Sequence, residues 1–521
     1  MASSGTAPRP AARATLLPWL GALLVLGVTS LAMGPWPVGI FLDDGIYTVL
    51  ARSLAEGSGY RYLNLPGAPE ATHYPPGYPA LLALLWRAWP EFPANVVLLK
   101  GANAVLMALA VPGLAALARR RFDLPPLVAV AVAALLSLAI PLLTFATTLF
   151  SEPLFLALLG PALLVAERAA TGESRRDAFA GGLLCGALFL VRTVGAGAGL
   201  ALVAMLAWRR RFVAAALAAG GLALCVLPWQ LWVAAHDADL PRALVGNYGS
   251  YSGWLMDGWR EGGAPFLLAS IRRTIASTWT VLGVLFAPTP LRAIAALSTA
   301  TALACFALGA RRIAWRAPVT AGFLAFYLAI VLVWPFAPYR FIWGVWPLLG
   351  LVAAAGAVAV WRWRPAVARG LPRHAALACV LLAAGGHLLY NARGYARRNW
   401  EPLQRAESEA ALTSAGWIAR HVPRGAVVAS EYGPLVWLYT GRLAVPTGSL
   451  LAREYVTPLT VAESAEESRG ILELYGVQYY VVAARGTGGE APARYLMSRT
   501  PPALVLIDTL SNGGAAFAPV R

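Results

Sequence analysis

The chain has 521 residues, 59% of them hydrophobic and only 13% charged. A soluble globular domain carries nearer a quarter charged residues, so this composition argues against a water-soluble protein and places most of the chain in lipid. The formal net charge of +17 does not point to nucleic acid, because the arginines fall in short clusters between apolar runs, as topology-setting loops do.

A membrane-spanning helix needs about 20 mainly apolar residues. In chain order the candidates are 15–33, 95–118, 126–145, 151–167, 178–192, 194–208, 212–234, 289–309, 317–335, 341–361 and 372–391. The apolar run 179–207 is too long for one span and carries Arg192 near its middle, so it divides in two. Segment 264–288 is a further helix candidate, and the count is about eleven spans. The first stretch is long for a secretory core and lacks a clear cleavage site, which makes it a retained anchor. The four cysteines (Cys185, Cys225, Cys305, Cys379) stand singly and form neither a metal spacing nor a disulfide framework.

Alternate turns carry the arginines: Arg9 and Arg13; Arg119–Arg121; Arg168 with Arg175 and Arg176; Arg209–Arg211; Arg311, Arg312 and Arg316; Arg362, Arg364, Arg369 and Arg373. The positive-inside rule then puts the N-terminus in the cytoplasm, and an odd number of spans puts the C-terminal region outside. This is the pattern of a multi-pass protein of the inner (plasma) membrane. The outer side holds two long loops, 34–94 and 235–288, and the turn "WPFAPYRFIWGVWP" (334–347), whose Trp, Tyr and Pro suit the membrane–water interface.

Residues 1–398 thus read as a transmembrane domain, and 399–521 differ. "SAGWIARHVPRGAVVASE" (414–431) reads as helix, break and strand, while "LYGVQYYVVAA" (474–484) and "PALVLIDTL" (502–510) are short β-branched runs between turns. These predict a small extracytoplasmic α/β domain. Nothing within it marks a site.

The chemistry-bearing residues gather on the outer side. On a helical wheel over 41–57, Asp43 shares a stripe with Ile46, Tyr47, Leu50 and Leu54, while Asp44, Thr48, Arg52 and Glu56 form a polar ridge opposite. This predicts an amphipathic helix along the outer membrane surface with Asp44 on its solvated ridge. Asp43 begins the buried stripe, so it is either the helix N-cap or a functional carboxylate. His73 and Tyr74 precede the paired prolines of "THYPPGYPALLALLW" (72–86), where a loop histidine is the plainer reading. Ser151, Glu152 and Pro153 satisfy helix-start preferences unaided, yet topology brings Glu152 to the face that carries Asp43. Arg192 and Arg340 lie on that outer face too, where charge bias does not require them. They either snorkel or hold an anion such as phosphate, which favours the fixed fork of a guanidinium.

Asp43-Asp44 with "YTVLARSLAEGSGY", "HYPPGYPALLALLW", "FSEPLFLALL" and "PYRFIWGVWPLL" together resemble the GT-C-type integral-membrane glycosyltransferases. That superfamily includes the dolichyl-phosphate-mannose protein mannosyltransferases and the bacterial aminoarabinose and galacturonic acid transferases. The resemblance is most specific over about the first 170 residues. It implies sugar transfer from a polyprenyl-phosphate donor to an envelope acceptor (protein, lipid or glycan) at the outer face, usually with inversion. It maps a catalytic base onto Asp43 with Asp44 beside it, a second catalytic acid onto Glu152, and a phosphate binder onto Arg340. His73, Tyr74, Arg192 and Tyr339 complete the substrate-binding candidates. The family's acidic pair is often Asp-Glu, and some members hold a divalent metal on a spaced Asp-x-Asp. The adjacent pair here leaves a metal open, with Asp43 and Glu152 as its donors if one binds.

Two other readings stand beside this one. A transporter or flippase of lipid-linked sugars would carry charges along a midplane path, whereas these residues cluster at one face. A membrane scaffold without catalytic activity would leave Asp43 with no cavity beside it.

Overall fold

The computed structural model describes residues 10–237, 240–363 and 371–520; Arg9, Arg364 and Arg369 of the topology argument lie outside them. All eleven apolar stretches fold as helix. Helix α1 (Pro10–Ala32) leads into two helices of the first long loop, α2 (Leu42–Ala55) and α3 (Gly77–Ala88). Next come α4 (Val96–Arg121), α5 (Pro126–Ser137), α6 (Ile140–Thr147), α7 (Glu152–Thr171), α8 (Arg175–Val191), α9 (Ala196–Trp208) and α10 (Phe212–His236). A short α11 (Val245–Tyr248) precedes α12 (Tyr251–Phe286), followed by α13 (Arg292–Arg316), α14 (Pro318–Val333), α15 (Tyr339–Gly344), α16 (Trp346–Arg362) and α17 (Leu371–Ala396).

Among the described residues, five helices are long and apolar enough to cross a bilayer alone, and α5 with α6, bent by 65° at their break, passes the same test only when the two are taken together. The remaining apolar helices are shorter. Large apolar side chains stand exposed on the outer surfaces of α1 (Leu20, Leu23), α10 (Leu224, Leu231) and α17 (Leu381, Leu388). Water would penalise that surface; lipid requires it. Segment 264–288 is helical as the second half of α12, beyond a kink at Gly263 (φ 54°).

The basic loops share one end of the bundle. Asp123, just after α4, receives Arg312 at 2.8 Å, Arg316 at 3.3 Å and Arg362 at 2.9 Å. Arg209 and Arg211 reach the Ala170 and Ala169 carbonyls at the end of α7. Glu152 begins that same α7. A 20-residue helix is about 30 Å long, so Glu152 sits at the opposite end from the arginines.

The C-terminal part contains α18 (Glu401–His421), β1 (Val427–Ser430), α19 (Gly433–Thr440), β2 (Leu443–Val445), α20 (Val461–Leu474), β3 (Tyr479–Val482), α21 (Glu490–Ser498), β4 (Leu504–Thr509) and β5 (Ala515–Pro519). Its sheet runs β2-β1-β3-β5-β4, with β1 parallel to β2 and β3, and β5 antiparallel to both β3 and β4. β2 and β5 were not foreseen; at three and five residues they carry little period-2 signal.

This sheet is bonded to the first outer loop. Ala444 N donates to the Asn64 carbonyl at 2.8 Å, and Val38 N to the Tyr439 hydroxyl at 3.2 Å. Gly39 has φ +90°, and Gly45 on α2 lies so close to α19 that a Cβ there would come within 2.7 Å of Pro434. Only a residue without a side chain permits that approach. The wheel reading of α2 is corrected by the same contact. Asp44 and Thr48 are buried, and Arg52 lies over the Trp437 ring of α19 at 4.9 Å. The expected solvated ridge is covered by the C-terminal part over its first half, and its Arg52–Glu56 pair stays part-exposed at the edge of that cover.

Candidate active site

α2 begins at Leu42 with Phe41 as its cap residue, so the two aspartates occupy the second and third helical positions. The capping role falls to Asp44. Its oxygens accept from Gly39 N at 2.7 Å and Phe41 N at 2.8 Å, satisfying amides that the helix start leaves open. Asp44 lines neither of the cavities that Asp43 lines, and its carboxylate closes the turn that opens α2. Burial pushes its carboxyl up to about 7 against the pull of those two N–H groups.

Asp43 is thereby free to point elsewhere. Its two oxygens accept from the Tyr74 hydroxyl and from Arg340 Nη1. Burial alone would raise its pKa, but the Arg340 guanidinium, followed by the Tyr74 hydroxyl, holds it below the usual carboxylate value. Asp43 is therefore ionised at neutral pH.

Arg340 is the second residue of α15, the short helix in the turn between α14 and α16. Its Nε donates to Glu152 Oε1 at 2.7 Å, and Arg192 Nη1 reaches the same oxygen at 2.5 Å. The Arg340 guanidinium also lies 4.4 Å above the Phe150 ring. Arg192 follows the C-terminus of α8 and Glu152 opens α7, so each charge complements its helix dipole. Glu152 is fully buried behind the two arginines and does not line the cavity they face. Its carboxylate binds both guanidinium groups from behind. Ser151, expected as a side-chain cap, instead meets the Tyr47 hydroxyl at 3.2 Å and Arg192 at 3.3 Å.

Asp43, Tyr47, His73, Tyr74, Arg192 and Arg340 line one cavity of about 470 Å³. His73 Nδ1 donates to the Gly249 carbonyl at 2.5 Å, which leaves Nε2 as an acceptor. Burial lowers the His73 pKa, so the ring is neutral. Tyr339 is 41% exposed and outside the cavity; its neighbour Arg340 takes the inward side of α15. The rest of the wall is mostly apolar and aromatic, including Tyr251 and Trp254 of α12, Trp334, Phe336 and Tyr455, with Ser151, Thr193 and Asn247 as further polar side chains. Trp254 stacks on Phe336 at 4.9 Å and donates Nε1 to the Leu450 carbonyl at 2.8 Å. This clasp joins the second outer loop, the 334–347 turn and the C-terminal domain. The sequence offered a hint only for Trp334 and Phe336; Tyr251, Trp254 and Tyr455 sit in stretches without local signal.

Among the described residues no three His, Cys, Asp or Glu side chains come together as metal ligands. Asp43 and Glu152, the two donors considered, have Arg340 between them, so a guanidinium occupies the position of the charge a metal would supply.

A helical bundle with two helices in its first long loop and a small α/β cap docked over a charged cavity is a fold already seen in a solved membrane protein. In particular, nearly the whole chain matches the crystal structure of ArnT from Cupriavidus metallidurans bound to undecaprenyl phosphate, with TM-score 0.53 and 16% identity, covering 97% of this chain and 98% of that one. The apo structure of the same protein matches with TM-score 0.53 and 14% identity, covering 98% of each chain. No family model matches the chain, and no curated protein does.

Proposed function

We propose that the chain is a glycosyltransferase that moves a sugar from a polyprenyl-phosphate carrier to a hydroxyl of an envelope acceptor at the outer face of the inner membrane, with inversion. The observation that carries this reading is the ion-pair cluster in which Arg340 joins Asp43 to Glu152 beside an apolar-walled cavity. The matching fold of ArnT, whose structure holds undecaprenyl phosphate, supports the choice of carrier. The basic loops meeting at Asp123, at the far end of the bundle, support a cytoplasmic assignment for that end and an outer one for the cavity.

In this mechanism the donor phosphate sits against Arg192 and Arg340, and its polyprenyl chain lies along the apolar wall. Phosphate draws Arg340 from Asp43, and the aspartate loses the charge partner that weakens it as a base. Asp43 then accepts the proton of the acceptor hydroxyl while that oxygen attacks the anomeric carbon. The bond from that carbon to the phosphate oxygen breaks, and the two guanidinium groups stabilise the charge that develops on the leaving phosphate. Glu152 keeps both arginines aimed throughout. It is screened from the cavity by them and is poorly placed as a nucleophile on the opposite face of the sugar. A single displacement, hence inversion, follows. Clustering of the charged groups at one end of the helices favours chemistry at a surface over translocation.

Undecaprenyl phosphate added to the detergent-solubilised protein is expected to raise its unfolding temperature in a concentration-dependent way. Replacing both Arg192 and Arg340 by Gln should remove that shift. Wild-type protein that gains no stability from the lipid phosphate overturns the proposal.

A further inference from the structure

Asp43 and Arg340 line a second cavity of about 670 Å³, which opens onto the C-terminal domain. The two cavities share Leu42, Asp43 and Arg340 and no other lining residue. The Asp43–Arg340 pair is therefore a partition with a chamber on each side. The chambers differ in charge. The first adds Arg192 to the shared pair; the second adds Glu407 from α18 and Glu431 from the end of β1.

Glu431 shapes its wall. It accepts from Ala483 N at 2.8 Å and Gly489 N at 2.9 Å, which folds the stretch Gly486–Gly488 toward the cavity. Gly486 has φ +83°, and a Cβ on Gly486 or Gly488 would meet open space. The loop thus leaves room beside Glu431 on that side, with its Gly486 N–H already given to Glu490 and its Thr487 N–H to the Ala484 carbonyl. Glu407 Oε2 accepts from the Tyr432 hydroxyl at 2.5 Å, and its Oε1 has no partner among the described residues. Phe41, Phe150 and Tyr432 supply the aromatic surface.

We infer that this second cavity is the acceptor subsite and that it takes a polyhydroxyl acceptor free of anionic groups, whether neutral or amine-bearing. The inference rests on the transferase reading above and adds the class of acceptor. Asp43 reaches both chambers, as a base must if it takes a proton from a hydroxyl on one side while the phosphate leaves on the other. A phosphorylated acceptor would have to lie against Glu407 and Glu431, where like charges repel. Hydroxyl and ammonium donors find the Glu407 carboxylate there, with Glu431 beside it.

The test uses the full-length protein in lipid nanodiscs with a panel of polyprenyl-phosphate hexoses and pentoses as donors. The acceptor probes are octyl glucoside, octyl glucosaminide and the phosphate monoester of octyl glucoside. Glycosylated probe and released polyprenyl phosphate are both measured. The neutral and amino probes should be used with kcat/KM at least about tenfold above the phosphorylated one, and Glu407→Arg should shrink that ratio by a similar factor. Equal or preferred use of the phosphorylated probe, or a ratio that Glu407→Arg does not move, overturns the inference while leaving the transferase reading intact. Donor cleavage to water with no neutral or amino probe glycosylated also overturns it. No release of polyprenyl phosphate from any donor overturns the transferase reading and this inference with it. Should Glu407→Arg not fold, Thr487→Cys serves: trimethylammonium-ethyl methanethiosulfonate should modify it at least about tenfold faster than the sulfonato-ethyl reagent, relative to a free thiol. The reverse order contradicts the assigned charge.

Discussion

Asp43 and Arg340, 297 positions apart in the chain, form the ion pair that divides the charged chambers of this molecule. One residue comes from an outer-loop helix and the other from a turn between two spans. The pair exists only because the bundle closes, and Glu152 behind it fixes where the guanidinium stands.

Glu152→Gln is expected to damage both stability and activity. The substitution leaves two part-buried guanidinium groups against a neutral amide, and breaking a buried charge cluster costs about 3–5 kcal/mol. Because Glu152 acts through the arginines, the KM for donor should rise along with a fall in kcat, and undecaprenyl phosphate should rescue part of the lost thermal stability by neutralising the arginines. Unfolding temperature with and without the lipid phosphate checks this.

Asp44 gives the fold a pH dependence of predictable sign. Its carboxyl is raised from 3.8 to about 7 in the folded chain, so between those values the folded state holds a proton that the unfolded chain has released. Stability is therefore greatest below about pH 4 for this group and falls as pH rises through the window to about 7. At about 1.4 kcal/mol per pKa unit, the loss is at most about 4 kcal/mol. Unfolding temperatures at pH 5 and pH 8 should differ in this direction in the wild type, and the difference should shrink in Asp44→Asn.

Gly45→Ala should loosen the docking of the C-terminal domain. The new methyl would lie 2.7 Å from Pro434 and 2.9 Å from the Gly39 Cα, and overpacking of this kind costs about 1–3 kcal/mol. Hydrogen exchange should increase in α2 and α19 before the membrane helices respond.

What the sequence disclosed depended on how local the cause was. All eleven apolar stretches are helices, because lipid demands long continuous apolar runs and leaves the chain little alternative. The stripe of Ile46, Tyr47 and Leu50 is buried, as its helical spacing indicates, while Asp43 at its start is part-exposed. Asp44 was read as solvated because the element covering it, α19, lies about 390 residues later. Ser151 and Glu152 match helix-start preferences so well that their local pattern cannot reveal side chains turned instead to Tyr47 and two arginines. Tyr339 and Arg340 are adjacent, and only the seating of a six-residue helix decides which of them faces the cavity. Glu407 and Glu431 belong to a domain whose sequence marks no site; their place beside Asp43 and Arg340 follows from where the sheet docks.

The central claim is that Asp43 is the base between the two chambers, and Asp43→Asn tests it most directly. The amide keeps the size of the side chain and one acceptor oxygen: Oδ1 can still accept from Arg340 while Nδ2 donates to the Tyr74 hydroxyl, so membrane insertion should be kept and the unfolding temperature should fall only as far as the lost charge pair requires. Release of polyprenyl phosphate from a sugar-loaded carrier should fall by a factor on the order of a hundred to ten thousand, the range for a lost general base. A folded Asp43→Asn protein that transfers sugar at the wild-type rate would contradict the account.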